Sequence, residues 1–161
     1  MKGSPDGMIA PHTGGSQTRR LQRRVQATAL KKLIGLVALL RSPQGCPWDR
    51  KQTHQSLIKY LREESRELEV ALRRGAWHEI EDELGDLLLQ VLLHSQIACE
   101  QGLFDIQDVA ESQYRKLVRR HPHVFGRKKL RTARAVLAEW KEIKRAESLQ
   151  RRKDLRRRLK V

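Results

Sequence analysis

From position 30 onward the apolar residues recur at helical intervals. Leu30, Leu33, Ile34, Leu36, Val37, Leu39 and Leu40 step by threes and fours, enough for one buried helix face. The helical pattern begins near Arg19, and Pro43, Gly45 and Pro47 end it in a loop over Ser42–Asp49. A second helix is predicted from Thr53 or Ser56, both good N-caps, through Leu57, Tyr60, Leu61, Leu68, Ala71 and Leu72. Gly75 stops it, after Arg73 and Arg74 at the negative end of the helix dipole. A third runs from about Trp77 to Glu100 on Ile80, Leu84, Leu87, Leu88, Val91, Leu92 and Ala98, and Gly102 ends it. Asp105, with Asp108 three residues on, caps a fourth helix over about Ile106–Arg119. His121-Pro122-His123 and Gly126 interrupt the pattern. Thr132 caps a last helix carrying Ala135, Val136, Leu137, Trp140 and Ile143, which thins into a basic run beyond Glu147. No segment reads as a strand and no repeat is present. Short turns favour antiparallel neighbours, so the fold class is all-α, an antiparallel bundle of about five helices. The first and third helices are apolar over a wider arc than one small bundle can bury, so subunits are expected to associate through helices.

Composition supports this outline. The chain has 161 residues, 39% apolar and only 4% aromatic, which suits one helical domain and disfavours an aromatic-rich β-sandwich or barrel. Residues 1–18, rich in Gly and Pro, read as a disordered leader. Residues 19–147 form the helical domain, and 148–161 a basic tail. No apolar run has the length of a membrane span, and no signal-peptide layout opens the chain, so the expected location is cytoplasmic. Cys46 and Cys99 lack metal-ligand spacing and read as reduced thiols. Trp77 and Trp140 read as packing residues.

Charge changes the picture. The net +15 points to a polyanion partner. By region it is +7 over 1–41, −7 over 42–113 and +15 over 114–161. An acidic centre between basic ends does not resemble a uniform nucleic-acid coat. It fits a cation site with groups for an anion.

The acidic centre contains Glu63, Glu64 and Glu67 on the second helix and Glu83 and Asp86 on the third. Residues three apart share a helix face, so Glu64 projects with Glu67, and Glu83 with Asp86. Across an antiparallel pair the four carboxylates meet, repel one another and are costly to desolvate. A hard divalent cation offsets both effects, and Mg²⁺ or Mn²⁺ suits an all-oxygen shell. The competing reading is a solvated helix face with Arg62, Arg66 or Arg73 as i,i+4 partners. Gly85 in mid-helix costs about 1 kcal/mol against Ala and suggests close approach of another backbone or a ligand. Lys116, Arg119 and Arg120 end the fourth helix. They are either a solvated basic end or a clamp for a polyphosphate. His94 reads as a hydrogen-bonded interior or interfacial histidine. Trp48, beside Asp49, is the better candidate for touching a nucleobase.

Gly45-Cys46-Pro47-Trp48-Asp49, followed by Gln52-Thr53-His54-Gln55-Ser56-Leu57, resembles the opening of the MazG family of nucleoside triphosphate pyrophosphohydrolases. Tyr60-Leu61-Arg62-Glu63-Glu64 and Glu83-Leu84-Gly85-Asp86 resemble its metal-binding helices. The segment Lys116–Gly126, with His121-Pro122-His123-Val124-Phe125, resembles its closing signature, and Trp140-Lys141-Glu142-Ile143-Lys144 its tail helix. The resemblance runs from about Leu33 to Lys144. It implies an all-α NTP pyrophosphatase fold, a homodimer or higher assembly, Mg²⁺, and hydrolysis of an NTP or dNTP to the monophosphate and pyrophosphate. Such activity serves nucleotide-pool cleaning or control of a signalling nucleotide. By position it makes Glu64, Glu67, Glu83 and Asp86 metal ligands and Glu63 an accompanying acid. Lys116, Arg119 and Arg120 become phosphate-binding residues. The leader and the Arg-rich tail have no counterpart in the family pattern. They motivate the alternative of a nucleic-acid-associated scaffold with weak or no catalysis.

Overall fold

A computed structural model of the protein describes residues 29–158. The leader over 1–18 and the helix start near Arg19 lie outside the described residues. Regular structure among the described residues is entirely helical: α1 Lys31–Arg41, α2 Pro47–Lys51, α3 His54–Arg74, α4 Trp77–Glu100, α5 Ile106–Arg120, α6 Pro122–Phe125 and α7 Ala133–Arg158. The five long helices are those the pattern predicts. The two short ones were hidden in loops. Each has a proline in its first turn, where the ring presets φ and the missing N–H is no loss. The chain divides into two compact units, one ending at Phe104 and one starting at Asp105.

The first unit is built on the α3–α4 hairpin. Thr53 and Ser56 form a reciprocal capping box that starts α3. Gly75 ends it in the left-handed region at φ 69°, where a Cβ would be strained, and α4 begins two residues later. So short a turn forces α3 and α4 side by side and antiparallel. Leu57 and Ala71 from α3, Ile80, Leu92, Leu93, Ile97 and Ala98 from α4, and Val37 from α1 make the buried apolar core. Each fully buried Leu or Val there contributes roughly 1.5–3 kcal/mol. His54 and His94 stack with Nδ1 atoms 2.7 Å apart, joining the start of α3 to α4. Burial first, and the His54 ring second, hold His94 below its ordinary pKa.

Much apolar surface stays exposed. Trp77, Leu84, Leu88 and Val91 follow one another at helical spacing along α4 and are all exposed, Trp77 at 80%. Trp77 is therefore not the packing residue the pattern suggested. It opens α4 beyond the last turn of α3, with nothing of the hairpin left to cover it.

The loop between α1 and α3 is fixed by two features. A Cβ on Gly45 would overlap the Leu39 and Leu40 carbonyl oxygens, so only glycine fits there. Arg41 is 5% exposed and forks onto Glu100, with Nε 2.9 Å from Oε1 and Nη2 2.8 Å from Oε2. Its Nη1 donates to the Asp49 and Gln52 carbonyls. One guanidinium thus ties the end of α1, the C-terminal half of α2 and the end of α4 together.

In the second unit, Asp105 and Asp108 form the capping box of α5, and the Thr132 hydroxyl accepts from Ala135 N–H at the start of α7. Where a tail was expected from 148 onward, α7 continues to Arg158. Apart from Ser148 and Asp154, the stretch is Arg, Lys, Leu and Gln, all strong helix formers, without Gly or Pro.

Replacing Arg41 with Ala leaves two carbonyls and a carboxylate without their donor. Chemical denaturation should show a loss of about 2–3 kcal/mol. A loss within the error of the measurement would contradict the clamp.

Candidate functional site

Hairpin geometry explains why the acidic residues meet. Glu64 lies 11 residues before Gly75 and Asp86 lies 11 after it; Glu67 and Glu83 each lie 8 away. At 1.5 Å per residue, Glu64 and Asp86 stand level about 16 Å along the two arms. Glu67 and Glu83 stand level one turn nearer the bend. Carboxylate oxygens of Glu64, Glu83 and Asp86 come within 4.8 Å of one another. Glu67 is exposed and outside this triad, but it raises the pKa of both Glu64 and Glu83 through its charge. Glu63 is exposed beside Glu64.

No basic side chain among the described residues neutralises this charge. Arg73 pairs with Glu69 instead, and no Lys or Arg lies in ion-pair range of Glu63, Glu64, Glu67, Glu83 or Asp86 among the described residues. The solvated-face reading required such partners. Glu83 Oε2 is buried and has no hydrogen-bond donor, a costly state for an isolated carboxylate. Burial is the main cause that lifts the Glu64 carboxyl, followed by the charges of Asp86, Glu67, Glu83 and Glu63. Glu83 is lifted by burial and then by Glu67, Asp86, Asp82 and Glu79. An all-oxygen, uncompensated and partly desolvated donor set fits a hard divalent cation.

Gly85, between Glu83 and Asp86, does not mark a close backbone approach. A Cβ there would meet no heavy atom within 4 Å, because position 85 faces out from the hairpin. Trp48 is half-exposed and packs edge-on against Tyr60, with centroids 5.6 Å apart. Tyr60 lies one turn before Glu64 on α3. Asp49 is half-buried in α2 and gives its carbonyl to Arg41.

The basic residues lie in the second unit. Lys116, Arg119 and Arg120 line a groove of about 700 Å³ between α5 and α7, with Arg115, Glu147 and Arg151. Glu147 accepts from both Arg119 and Arg120, at 2.6 Å in each pair. The fork from Arg120, and then that from Arg119, pulls its pKa down to about 2. Trp140 packs edge-on to His121, and Lys144 Nζ lies over its ring at 5.6 Å. The sequence reading missed Glu147, Arg115 and Arg151. The available signal was a glutamate just before an arginine-rich run, seven residues from Trp140 and so on the same face.

The fold holds Glu64 and Glu83 above the ordinary value of 4.5. The folded state therefore binds more protons than the unfolded chain above that pH, and stability falls as pH rises through the lifted values. At pH 7.5 in chelator, Glu83→Gln should melt above the parent protein. Added Mg²⁺ should raise the parent's melting temperature by about 4 °C or more and leave the variant unmoved. An equal Mg²⁺ response in both would remove Glu83 from the ligand set.

Residues 52–125 match the MazG nucleotide pyrophosphohydrolase domain. The chain is 53% identical over 96 residues to the nucleoside triphosphate pyrophosphohydrolase/pyrophosphatase MazG of Thermotoga maritima, covering 60% of this chain and 38% of that protein. It is 40% identical over 122 residues to the nucleoside triphosphate pyrophosphohydrolase of Escherichia coli K12, covering 75% of this chain and 46% of that one. An uncharacterized Bacillus subtilis protein, YabN, is 51% identical over 112 residues, 70% of this chain and 23% of its own length. The chain thus spans less than half the length of each of these relatives.

Proposed function

The chain belongs, through residues 52–125, to the MazG nucleotide pyrophosphohydrolase family, and from that premise we propose that it hydrolyses an NTP or dNTP to the monophosphate and pyrophosphate. The observation that carries the reading is the carboxylate triad with no counter-charge among the described residues, one of its oxygens buried without a donor. Glu64, Glu83 and Asp86 would hold Mg²⁺, or Mn²⁺ in its place, with Glu67 completing the shell from one turn away. A cation there supplies Lewis-acid polarisation of phosphate oxygens and makes water more acidic. Lys116, Arg119 and Arg120, on the second unit, would bind phosphate oxygens of such a substrate. Glu63, exposed and unpaired beside the triad, takes the proton released by the attacking water. Trp48, held against Tyr60, offers its exposed edge to the base.

The same proposal extends to assembly and location. The exposed row Trp77, Leu84, Leu88 and Val91 on α4 calls for a covering surface, and a second copy of the hairpin supplies one by symmetry, giving a homodimer. No helix among the described residues is long and apolar enough to cross a membrane, and the enzyme is expected to act in the cytoplasm.

An NTP and dNTP panel with Mg²⁺, read by pyrophosphate release, tests the activity. Glu83→Gln and Asp86→Asn should each lower kcat/KM at least about 10³-fold with unchanged far-UV circular dichroism. Full turnover in either would reject the site.

One observation favours a second role. α7 continues as a basic helix to Arg158, and Arg152, Lys153, Arg156 and Arg157 have no carboxylate partner among the described residues. If this helix docks on nucleic acid, a labelled oligonucleotide should bind with strong salt dependence. Reversing Arg152, Lys153 and Arg156 to Glu should abolish that binding, and retention would reject it.

A further inference from the structure

Arg119 and Arg120 are adjacent in sequence and carry like charge, so left alone they would splay apart. Both instead turn onto one carboxylate. Arg119 Nε and Nη2 lie 2.7 and 2.6 Å from Glu147 Oε1. Arg120 Nε and Nη2 reach Oε2 at 3.2 and 2.6 Å. The Glu147 side chain is only 14% exposed, and its depressed pKa keeps it charged at every working pH.

Each guanidinium spends one edge on this contact. A guanidinium has five N–H donors, and Nη1 of both arginines has no partner among the described residues. These free groups border the groove that Lys116 and Arg151 also line. We propose that Glu147 is a positioning residue for polyphosphate binding: it anchors Arg119 and Arg120 side by side, leaving their second edges free for the same anion. Arg151, one helical turn beyond Glu147, extends the groove and contacts the far end of that anion.

The proposal rests on the reading of Lys116, Arg119 and Arg120 as phosphate contacts. It differs from the alternative that Glu147 is an internal competitor which phosphate must displace. A competitor would occupy the edges that an incoming anion needs, whereas here the Nη1 groups of both forks are unused. The two roles also predict opposite signs. Removing Glu147 raises the net charge of the groove by one, and by electrostatics alone that strengthens anion binding. Loss of positioning weakens it.

Calorimetric titration of inorganic tripolyphosphate into the metal-free full chain reads this directly. Arg120→Ala should weaken binding about tenfold or more. Glu147→Ala should weaken it about fivefold or more despite the gained positive charge, and Glu147→Asp should recover part of the loss. If the alanine variant does not fold, Glu147→Gln keeps the shape and one acceptor oxygen, puts an N–H₂ donor in place of the other, and should weaken binding by a smaller factor. Loss of Arg151 in Arg151→Ala should weaken binding without altering the melting temperature. Binding by Glu147→Ala or the Gln variant as tight as the parent's, or tighter, overturns the proposal. Unchanged binding in Arg120→Ala overturns the phosphate reading beneath it, a distinct result.

Discussion

Unrelieved repulsion between carboxylates on two facing helices is the constraint around which the first unit is arranged. Glu64, Glu83 and Asp86 converge with no basic side chain among the described residues to receive them. Convergence of this kind opposes folding, so packing elsewhere must overcome it. The packing flanks the triad along the hairpin, with Ala71 and Ile80 buried toward the bend and Leu57, Leu92, Leu93, Ile97 and Ala98 toward the open end. Arg41 adds a four-point anchor at the open end. Apolar packing on both sides thus holds the uncompensated charge in place between them.

The second unit solves the opposite electrostatic problem. It has an excess of cations, and Glu147 is placed where two of them would otherwise repel. Net charge of +15 gives no hint of this division. Among the described residues one unit concentrates acid without a basic partner at the triad, and the other concentrates base and gathers two adjacent arginines onto one acid.

Much of this was legible in the sequence because it is local. Capping residues Thr53, Asp105 and Thr132 act within a few positions of themselves, and each was readable in place. The i,i+3 spacing of Glu83 and Asp86, and the equal distances of both acidic segments from Gly75, fix the meeting point before any tertiary contact is known. What escaped was non-local or depended on what is missing. Arg41 was not singled out, because its partner Glu100 is 59 positions away. Gly85 suggested crowding, and the helix face there proved open. Trp77 suggested burial, yet no part of the hairpin extends far enough to cover it. Glu147 was one acid among many arginines until the fold showed which two it holds.

The two-residue link at Gly75 and Ala76 has a kinetic consequence. All three members of the triad fall within one αα-hairpin, from Glu64 to Asp86, so their encounter closes only a short loop. Loop-closure entropy is small for such a span, and contacts this close in sequence form early in folding. The carboxylates therefore meet while most of the chain is still unfolded, and their repulsion is felt in the folding transition state as well as in the finished protein. A cation present at that moment would act on the rate of folding, speeding the hairpin's formation, in addition to stabilising its end point.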